Sequence, residues 1–302
     1  MASLILNYAG ETAALAAAFF WAMAAILYRR LGIGMSPLVL NLHKGIVAGV
    51  LFFFTLALRG RLQVPIEAVG MTLLLLSGVI GIGCGDTFFF ASLNRIGERR
   101  SILILETLAP VLATLIALVA LREFLPPLGF LGILITLSGV AWVLSERTSG
   151  DDHRRLQLRS GIFLALAGGL CQALGSVLSR AAFLHTDIPP TWSALIRLIG
   201  GTLFLVVMIP VRHQRLFPKT LSSPKIWGSI VFATFVGTYL GILFQQISLK
   251  YTSAGVAQTL LGTSALFVLP FAILQGEKVT VRAALGAVVA LLGVAFIFSL
   301  KS

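Results

Sequence analysis

The stretch Leu-Ser-Gly-Val-Ala-Trp at 137–142 returns as Leu-Leu-Gly-Val-Ala-Phe at 291–296, a shift of 154 positions. The same shift superimposes one pair of glutamates and two pairs of glycines: Glu123 on Glu277, Gly132 on Gly286 and Gly139 on Gly293. One match of this kind means little, but several matches in the same order at one shift indicate an internal duplication.

The duplication extends through the rest of the chain at nearly the same shift. Five further pairs of identical or similar residues align: Arg29 with Arg180, Pro37 with Pro190, Lys44 with Arg197, Gly81 with Gly237, and Gly85 with Gly241. The longest polar stretch, at 146–159, falls at the midpoint of the chain. It predicts a linker between two repeats at 10–145 and 160–300.

The composition places the chain in a membrane. Of its 302 residues, 58% are hydrophobic and 11% are charged, and the mean hydropathy is +0.98. A soluble domain has about 25% charged residues, so this chain cannot cover its surface for water. A soluble enzyme, a disordered chain and a secreted disulfide scaffold are thereby excluded. Cys84 and Cys171 lie in apolar runs without metal-ligand spacing, so neither a disulfide nor a metal site is expected.

Apolar segments of helical, membrane-spanning length recur along the chain, since about 20 residues cross the hydrocarbon core. Ten are predicted, at 10–29, 38–58, 69–91, 101–121, 127–145, 160–182, 191–211, 226–248, 252–275 and 280–300. Each repeat has five helices, an odd number, so the second repeat enters the membrane upside down. The predicted fold is an all-α integral membrane protein of ten transmembrane helices in two inverted five-helix repeats.

The basic residues predict an orientation. A net charge of +12 would suggest nucleic acid as a partner of a soluble protein, but here the bases lie mostly between apolar segments. The loops after odd-numbered helices hold fifteen Lys and Arg residues, and the opposite side holds six. Positive loops stay in the cytoplasm. We therefore expect both termini in the periplasm, in a multi-pass protein of the bacterial inner membrane.

Inverted repeats are typical of secondary transporters, whose substrate site lies between the repeats near the midplane. The stretch Leu-Ala-Pro-Val-Leu-Ala at 108–113, with Arg-Glu at 122–123 and Gly-Glu at 276–277, resembles the EamA-type permeases of the drug/metabolite transporter superfamily. The likeness covers about residues 10–300 and is greatest to amino-acid exporters of the YddG type. Two positions depart from the family pattern: Lys44 stands where an arginine is expected, and Ser264 where the counterpart of Pro110 would be a proline.

Four charged side chains lie well inside the predicted spans, away from the span ends, and each needs a partner or water there. Alternating helix direction puts Lys44, Asp86 and Glu106 towards the cytoplasmic side, where Lys44 can pair with either acid. Such a pair is either a static structural contact or a coupling and gating element. Arg197 lies towards the opposite side. It either receives a substrate carboxylate, or extends to the headgroups or pairs with Glu123.

Other polar residues within the spans are candidates for the site. His43 is either a proton carrier or a packed histidine. Trp21 and its counterpart Gln172 are expected to line a cavity, because a lipid-facing tryptophan belongs nearer the interface. Gln245, Gln246 and Gln258 supply amides, either to substrate or to hydrogen bonds between helices.

The glycines predict close helix packing. Gly81-x3-Gly85 and Gly237-x3-Gly241 have the small-residue spacing of packed membrane helices. The seven-residue spacing of Gly132 and Gly139, repeated in Gly286 and Gly293, predicts a contact between helices 5 and 10. The run at 81–86 lacks the Lys-Ser/Thr ending of a phosphate-binding loop and follows a helix-length segment, so that reading is rejected.

These patterns predict a secondary transporter that works by alternating access and exports small metabolites. Amino acids, aromatic or other neutral ones, are the expected cargo. The alternatives are a sugar-phosphate, nucleotide-sugar or drug exporter of the same superfamily, and an integral-membrane lipid-modifying enzyme. We expect a small-molecule substrate and the lipid bilayer as partners, no nucleic acid and no cofactor. A monomer is compatible with this architecture.

Overall fold

A computed structural model describes residues 8–32, 35–63, 66–124, 126–144, 155–217, 221, 223–264, 266–267 and 281–299. Within these residues the chain is helical: α1 Ala9–Gly32, α2 Pro37–Leu58, α3 Ala68–Gly97, α4 at 98–120, α5 Pro127–Leu144, α6 Arg155–His185, α7 Pro190–Val211, α8 Pro224–Tyr251, α9 Ala254–Leu261 and α10 Val281–Ser299. Six of the described helices are long and apolar enough to cross a membrane, and shorter apolar helices accompany them. The prediction of an all-helical membrane protein is confirmed.

The second helix of each repeat shows the duplication in its backbone. Helices α2 and α7 each have 22 residues, and each begins with a proline at its first position, where the missing N–H costs no hydrogen bond. Each is followed by a residue in the left-handed conformation: Gly60 with φ 62° and His213 with φ 53°. These two residues are 153 positions apart, the shift that pairs Pro37 with Pro190.

The third helix of each repeat contains a π-helical segment, Gly78–Asp86 in α3 and Thr234–Leu240 in α8. A π-helix has wider turns than an α-helix and often marks a functional site. In α3 a residue of another helix stabilises the π-helical geometry: the side-chain amide of Asn41, in α2, donates to the carbonyls of Ile82 (2.7 Å) and Gly83 (3.4 Å). Both segments lie where the two halves of the protein face each other.

The contacts between halves follow the same duplication. A Cβ on Gly175 would lie 3.0 Å from the Cα of Gly81, and a Cβ on Gly237 would collide with Ala24. One turn later, a Cβ on Gly85 would lie 3.1 Å from the Cβ of Cys171, and a Cβ on Gly241 would collide with Trp21. Helix α3 therefore packs on α6 as α8 packs on α1.

Helices α5 and α10 form a second contact between the halves. A Cβ on Gly139 would collide with the backbone of Ala290 and approach the carbonyl of Gly286, and a Cβ on Gly293 would meet Thr136. The hydroxyl of Thr136 donates to the carbonyl of Gly132 at 2.9 Å. The glycines let these two helices approach backbone to backbone.

Several helix ends differ from the sequence-based bounds. Helix α3 continues to Gly97, whose φ of 77° separates it from α4, because only a glycine adopts this conformation without strain. Helix α6 begins at Arg155, so residues 155–159 of the expected linker are helical. The rest of the linker and residues 268–280, within the ninth and tenth predicted spans, lie outside the described residues.

Candidate functional site

A cavity of about 100 Å³ lies between the two halves. Seven residues singled out by the sequence line it together: Trp21, Lys44, Asp86, Glu106, Gln172, Arg197 and Gln245. They come from α1, α2, α3, α4, α6, α7 and α8, so neither half forms the cavity alone.

Lys44 pairs with Asp86, and not with Glu106. Its ammonium is in contact with the Asp86 carboxylate and lies 5.8 Å and 5.1 Å from the ring centroids of Tyr28 and Phe90. The lysine side chain is 6% exposed and the aspartate side chain 27% exposed. The aromatic rings and the carboxylate together hold a charge that the membrane interior would otherwise exclude.

Arg197 is 1% exposed, and its guanidinium Nη1 donates to the side-chain oxygen of Gln245 at 3.0 Å. The backbone of Gly81 makes room for it: a Cβ there would lie 3.1 Å from Nη2. The Nε of Arg197 and the Nε2 of Gln245 are buried and have no hydrogen-bond partner among the described residues.

One of the alternatives for Arg197 is wrong. It does not pair with Glu123, because the Glu123 carboxylate binds the Nε of Arg180 at 2.6 Å. Arg197 and Lys44 line the same cavity, although their positions in the sequence put them towards opposite sides of the membrane.

Glu106 is 7% exposed and faces the cavity from α4. Its carboxylate accepts a hydrogen bond of 3.1 Å from the hydroxyl of Ser264, at the end of α9. No base within the described residues lies at ion-pair distance from it. Helix α9 approaches closely here, since a Cβ on Gly262 would lie 3.0 Å from the backbone carbonyl of Glu106.

His43 and Gln258 do not line the cavity. The Nδ1–H of His43 donates to the carbonyl of Val39 at 2.8 Å, and its ring contacts Phe217 and Trp227. Gln258 donates to the hydroxyl of Ser176. Both residues therefore hold helices together in this structure.

Other residues that the sequence singles out have structural contacts near the site. Gln246 accepts a hydrogen bond of 2.7 Å from Ser193. Pro110 lies inside α4, and its carbonyl accepts from Thr114 at 2.8 Å. Of the α3 and α8 glycines, Gly85 and Gly237 line the cavity, whereas Gly81 and Gly241 pack behind it.

One part of the cavity wall, which carries aromatic rings and hydroxyl groups, was not predicted from the sequence. Tyr28 hydrogen-bonds to Thr238 at 2.7 Å, and Phe89 and Phe90 extend the same surface. Tyr28 follows Trp21 by seven residues, so the two share a helix face. This seven-residue spacing could have indicated the aromatic surface from the sequence, although the same spacing is also common among core residues.

Comparison with known proteins agrees with this architecture. The model of the EamA-like transporter family matches residues 8–145 and 159–299. A solved crystal structure superposes with a TM-score of 0.75 over 97% of both chains at 17% identity, which shows a shared fold. The fold, and a cavity between two repeats, define a membrane transporter. The chain belongs to the EamA-like transporter family.

Three relatives carry names of the same class. "Uncharacterized transporter YyaM" of Bacillus subtilis (strain 168) is 25% identical over 83% of this chain and 80% of its own length. An "Uncharacterized transporter" of Methanothermobacter thermautotrophicus is 22% identical over 96% of this chain and 86% of its own. Another, of Archaeoglobus fulgidus, is 25% identical over 93% of this chain and 94% of its own. None of these names specifies the amino-acid exporter subtype that is expected from the sequence.

Proposed function

We propose that this transporter exports neutral amino acids across the bacterial inner membrane by alternating access of its two repeats. The observation that carries the proposal is the Arg197–Gln245 pair in the cavity wall. Its two unpartnered donors, Arg197 Nε and Gln245 Nε2, are buried, and leaving such groups unpaired is costly. A carboxylate accepts from both kinds of donor, and a planar guanidinium suits it in particular.

The rest of the cavity suits the other parts of an amino acid. The carboxylate of Glu106 is a charged acceptor for an ammonium group, and the amide oxygen of Gln172 is a neutral acceptor for it. Trp21, Phe89 and Phe90 form an apolar surface for a neutral side chain, aromatic or aliphatic. A zwitterion therefore meets a partner for each charge, whereas a sugar uses neither.

Both repeats contribute to the cavity, and this supports alternating access. The π-helical segments and the glycine contacts occur once in each half at equivalent positions. Two arrangements of similar energy, related by exchanging the roles of the repeats, open the cavity to opposite sides. A single chain provides both repeats, so a monomer suffices.

A second candidate follows from the convergence of Lys44 and Arg197. Two bases in one cavity favour an anion such as a sugar phosphate. However, Lys44 is paired with Asp86, so a single guanidinium remains without a carboxylate partner among the described residues. Amino acids fit this charge better than a phosphate does. Membership of a transporter family likewise favours transport over lipid modification.

The test is counterflow in proteoliposomes that contain the purified protein. Vesicles loaded with unlabelled leucine or phenylalanine should take up the labelled amino acid. Excess parent amino acid outside should compete with the label, and the amidated or decarboxylated analogue should compete less. Counterflow of a sugar phosphate in place of the amino acids would establish the second candidate and refute the first.

A further inference from the structure

We infer that Glu106 is a proton-binding site that couples transport to a proton gradient. The inference rests on the proposed function, because it assigns the ammonium group of the amino acid as the competitor of the proton. Its basis is a buried carboxyl group between the two repeats that has a hydroxyl donor, and no base among the side chains that the structure describes. The notable feature is the contrast with Asp86, the other acid of the cavity, which has Lys44 as its partner.

The surroundings of Glu106 favour the neutral carboxylic acid. The charged groups that face the cavity are engaged elsewhere: Lys44 with Asp86, and Arg197 with Gln245. Tyr28 bonds to Thr238. Ionising a carboxyl inside the membrane without a cation is costly, so an empty site holds its proton.

Three other elements supply no base either. Helix α9 presents the Ser264 hydroxyl, α6 presents Gly168 and the amide of Gln172, and α1 presents the indole of Trp21. One hydroxyl donor stabilises a carboxylate far less than an ammonium does. Glu106 is thus arranged to exchange its proton for a cationic group that enters the cavity.

The position of Glu106 connects this exchange to movement of the repeats. Its contact with Ser264 joins α4 of the first repeat to α9 of the second, and Gly262 packs against the same turn. The duplication aligns Glu106 with Leu260 and Pro110 with Ser264, so the second repeat has no equivalent of this hydrogen bond. The contact therefore exists once, at the interface that must rearrange when the cavity changes sides.

The exchange replaces a proton on Glu106 by a zwitterion, so every proton and every charge can be followed through the cycle. When the cavity opens to one side, the proton leaves the Glu106 carboxyl for water, and the ammonium of the amino acid pairs with the carboxylate. When the cavity opens to the other side, the amino acid leaves and water there returns a proton to the carboxylate. One proton thus moves opposite to each zwitterion, and one positive charge crosses the membrane per cycle.

The first experiment compares driven accumulation with counterflow. In vesicles with an acidic lumen and a clamped membrane potential, a gradient of about one pH unit should give the wild type about tenfold accumulation of labelled leucine. Glu106→Gln keeps an acceptor for Ser264 and should lose this accumulation, and its counterflow should fall as well, because the ammonium loses its carboxylate partner. Glu67→Gln, an exposed acid before α3, is the matched control and should behave as wild type. Driven accumulation by Glu106→Gln would overturn the inference.

The second experiment needs no substrate, so it separates this inference from the proposed function. Infrared difference spectra of purified protein at rising pH should show a protonated-carboxyl band at neutral pH that disappears in alkali. Glu106→Gln should lack the band, Glu67→Gln should keep it, and Ser264→Ala should shift its frequency. A band unchanged in Glu106→Gln, or no band in the wild type, would overturn the proton site even if leucine is transported. Absence of leucine counterflow with the band present would refute only the substrate.

Discussion

Arg197 has the largest of the fully buried side chains in the described part of the chain. A buried guanidinium in a membrane protein requires compensation, and the hydrogen bond to one amide oxygen provides only part of it here. Its duplicate in the first repeat, Lys44, has a full ion pair. The asymmetry locates the incompletely satisfied charge on one wall of the cavity, where a ligand can complete it.

Replacing Arg197 by lysine tests this role. The charge stays, but the planar fork of donors is lost. Transport of leucine should fall about tenfold, the effect of about one charge-assisted hydrogen bond, while transport of leucinamide should change little. Initial rates in proteoliposomes, normalised to the amount of inserted protein, measure both. Arg212→Lys, on an exposed arginine that follows the same helix, is the control. Equal losses for acid and amide would make Arg197 a structural residue.

The pair of Lys44 and Asp86 gives a second prediction at this scale. Lys44→Met should leave the acid without its cation and lower the free energy of unfolding by up to about 3 kcal/mol. Lys44→Met with Asp86→Asn should recover part of that loss, because no isolated charge remains. Lys44→Met with Glu106→Gln should recover none. Thermal unfolding in detergent measures the three variants, and equal recovery by both double variants would contradict the observed pairing.

Which residues face the cavity was largely predictable, and which atoms meet was not. Charged residues within apolar segments are rare, so Lys44, Asp86, Glu106 and Arg197 stood out from the sequence. Choosing between Asp86 and Glu106 as the partner of Lys44 requires the rotation of three helices to within a fraction of a turn. Asn41, which supports the π-helical segment of α3, gave no signal because an isolated asparagine has many ordinary uses.

At the scale of the elements, glycine decides how closely the helices approach. The seven-residue spacing of glycines in α5 and α10 has a direct structural consequence, since Gly139 lies against the backbone of Ala290. The π-helical segments of α3 and α8 were not foreseen. Hydropathy reports that a helix crosses the membrane, but the number of residues per turn depends on contacts such as that of Asn41, which come from other helices.

Gly139→Ala should therefore destabilise the protein, although alanine is the better helix former by about 1 kcal/mol. The added methyl group has to separate α5 from α10, and overpacking of this kind costs about 1–3 kcal/mol. Gly49→Ala, within α2 with no atom within 4 Å of its would-be Cβ, should be neutral or stabilising. Melting temperatures of the two variants in detergent give the comparison. A Gly139→Ala protein as stable as Gly49→Ala would show that the α5–α10 contact tolerates separation.

The architecture of the whole molecule is determined by the duplication more than by any single residue. An odd number of helices per repeat requires inversion, and inversion places equivalent segments on opposite sides of one interface. The sequence predicted this architecture because repeated glycines and prolines keep their order over about 150 positions. It did not predict that Lys44 and Arg197 share one cavity, because opposite depths in two helices say nothing about where long side chains end.

Orientation in the membrane is the last property at this scale, and it rests on the fifteen-to-six distribution of bases between the two sides. If loops with more lysine and arginine remain in the cytoplasm, the C-terminus is periplasmic. A phosphatase reporter fused after Lys301 should then be active, because the enzyme folds only outside the cytoplasm, and a fluorescent protein at the same place should be dark. The reverse result is expected for reporters inserted in the linker at 146–159. Were both sets of activities exchanged, the orientation would be inverted, but the inverted repeat would remain and antiport with inward-moving protons would still drive export.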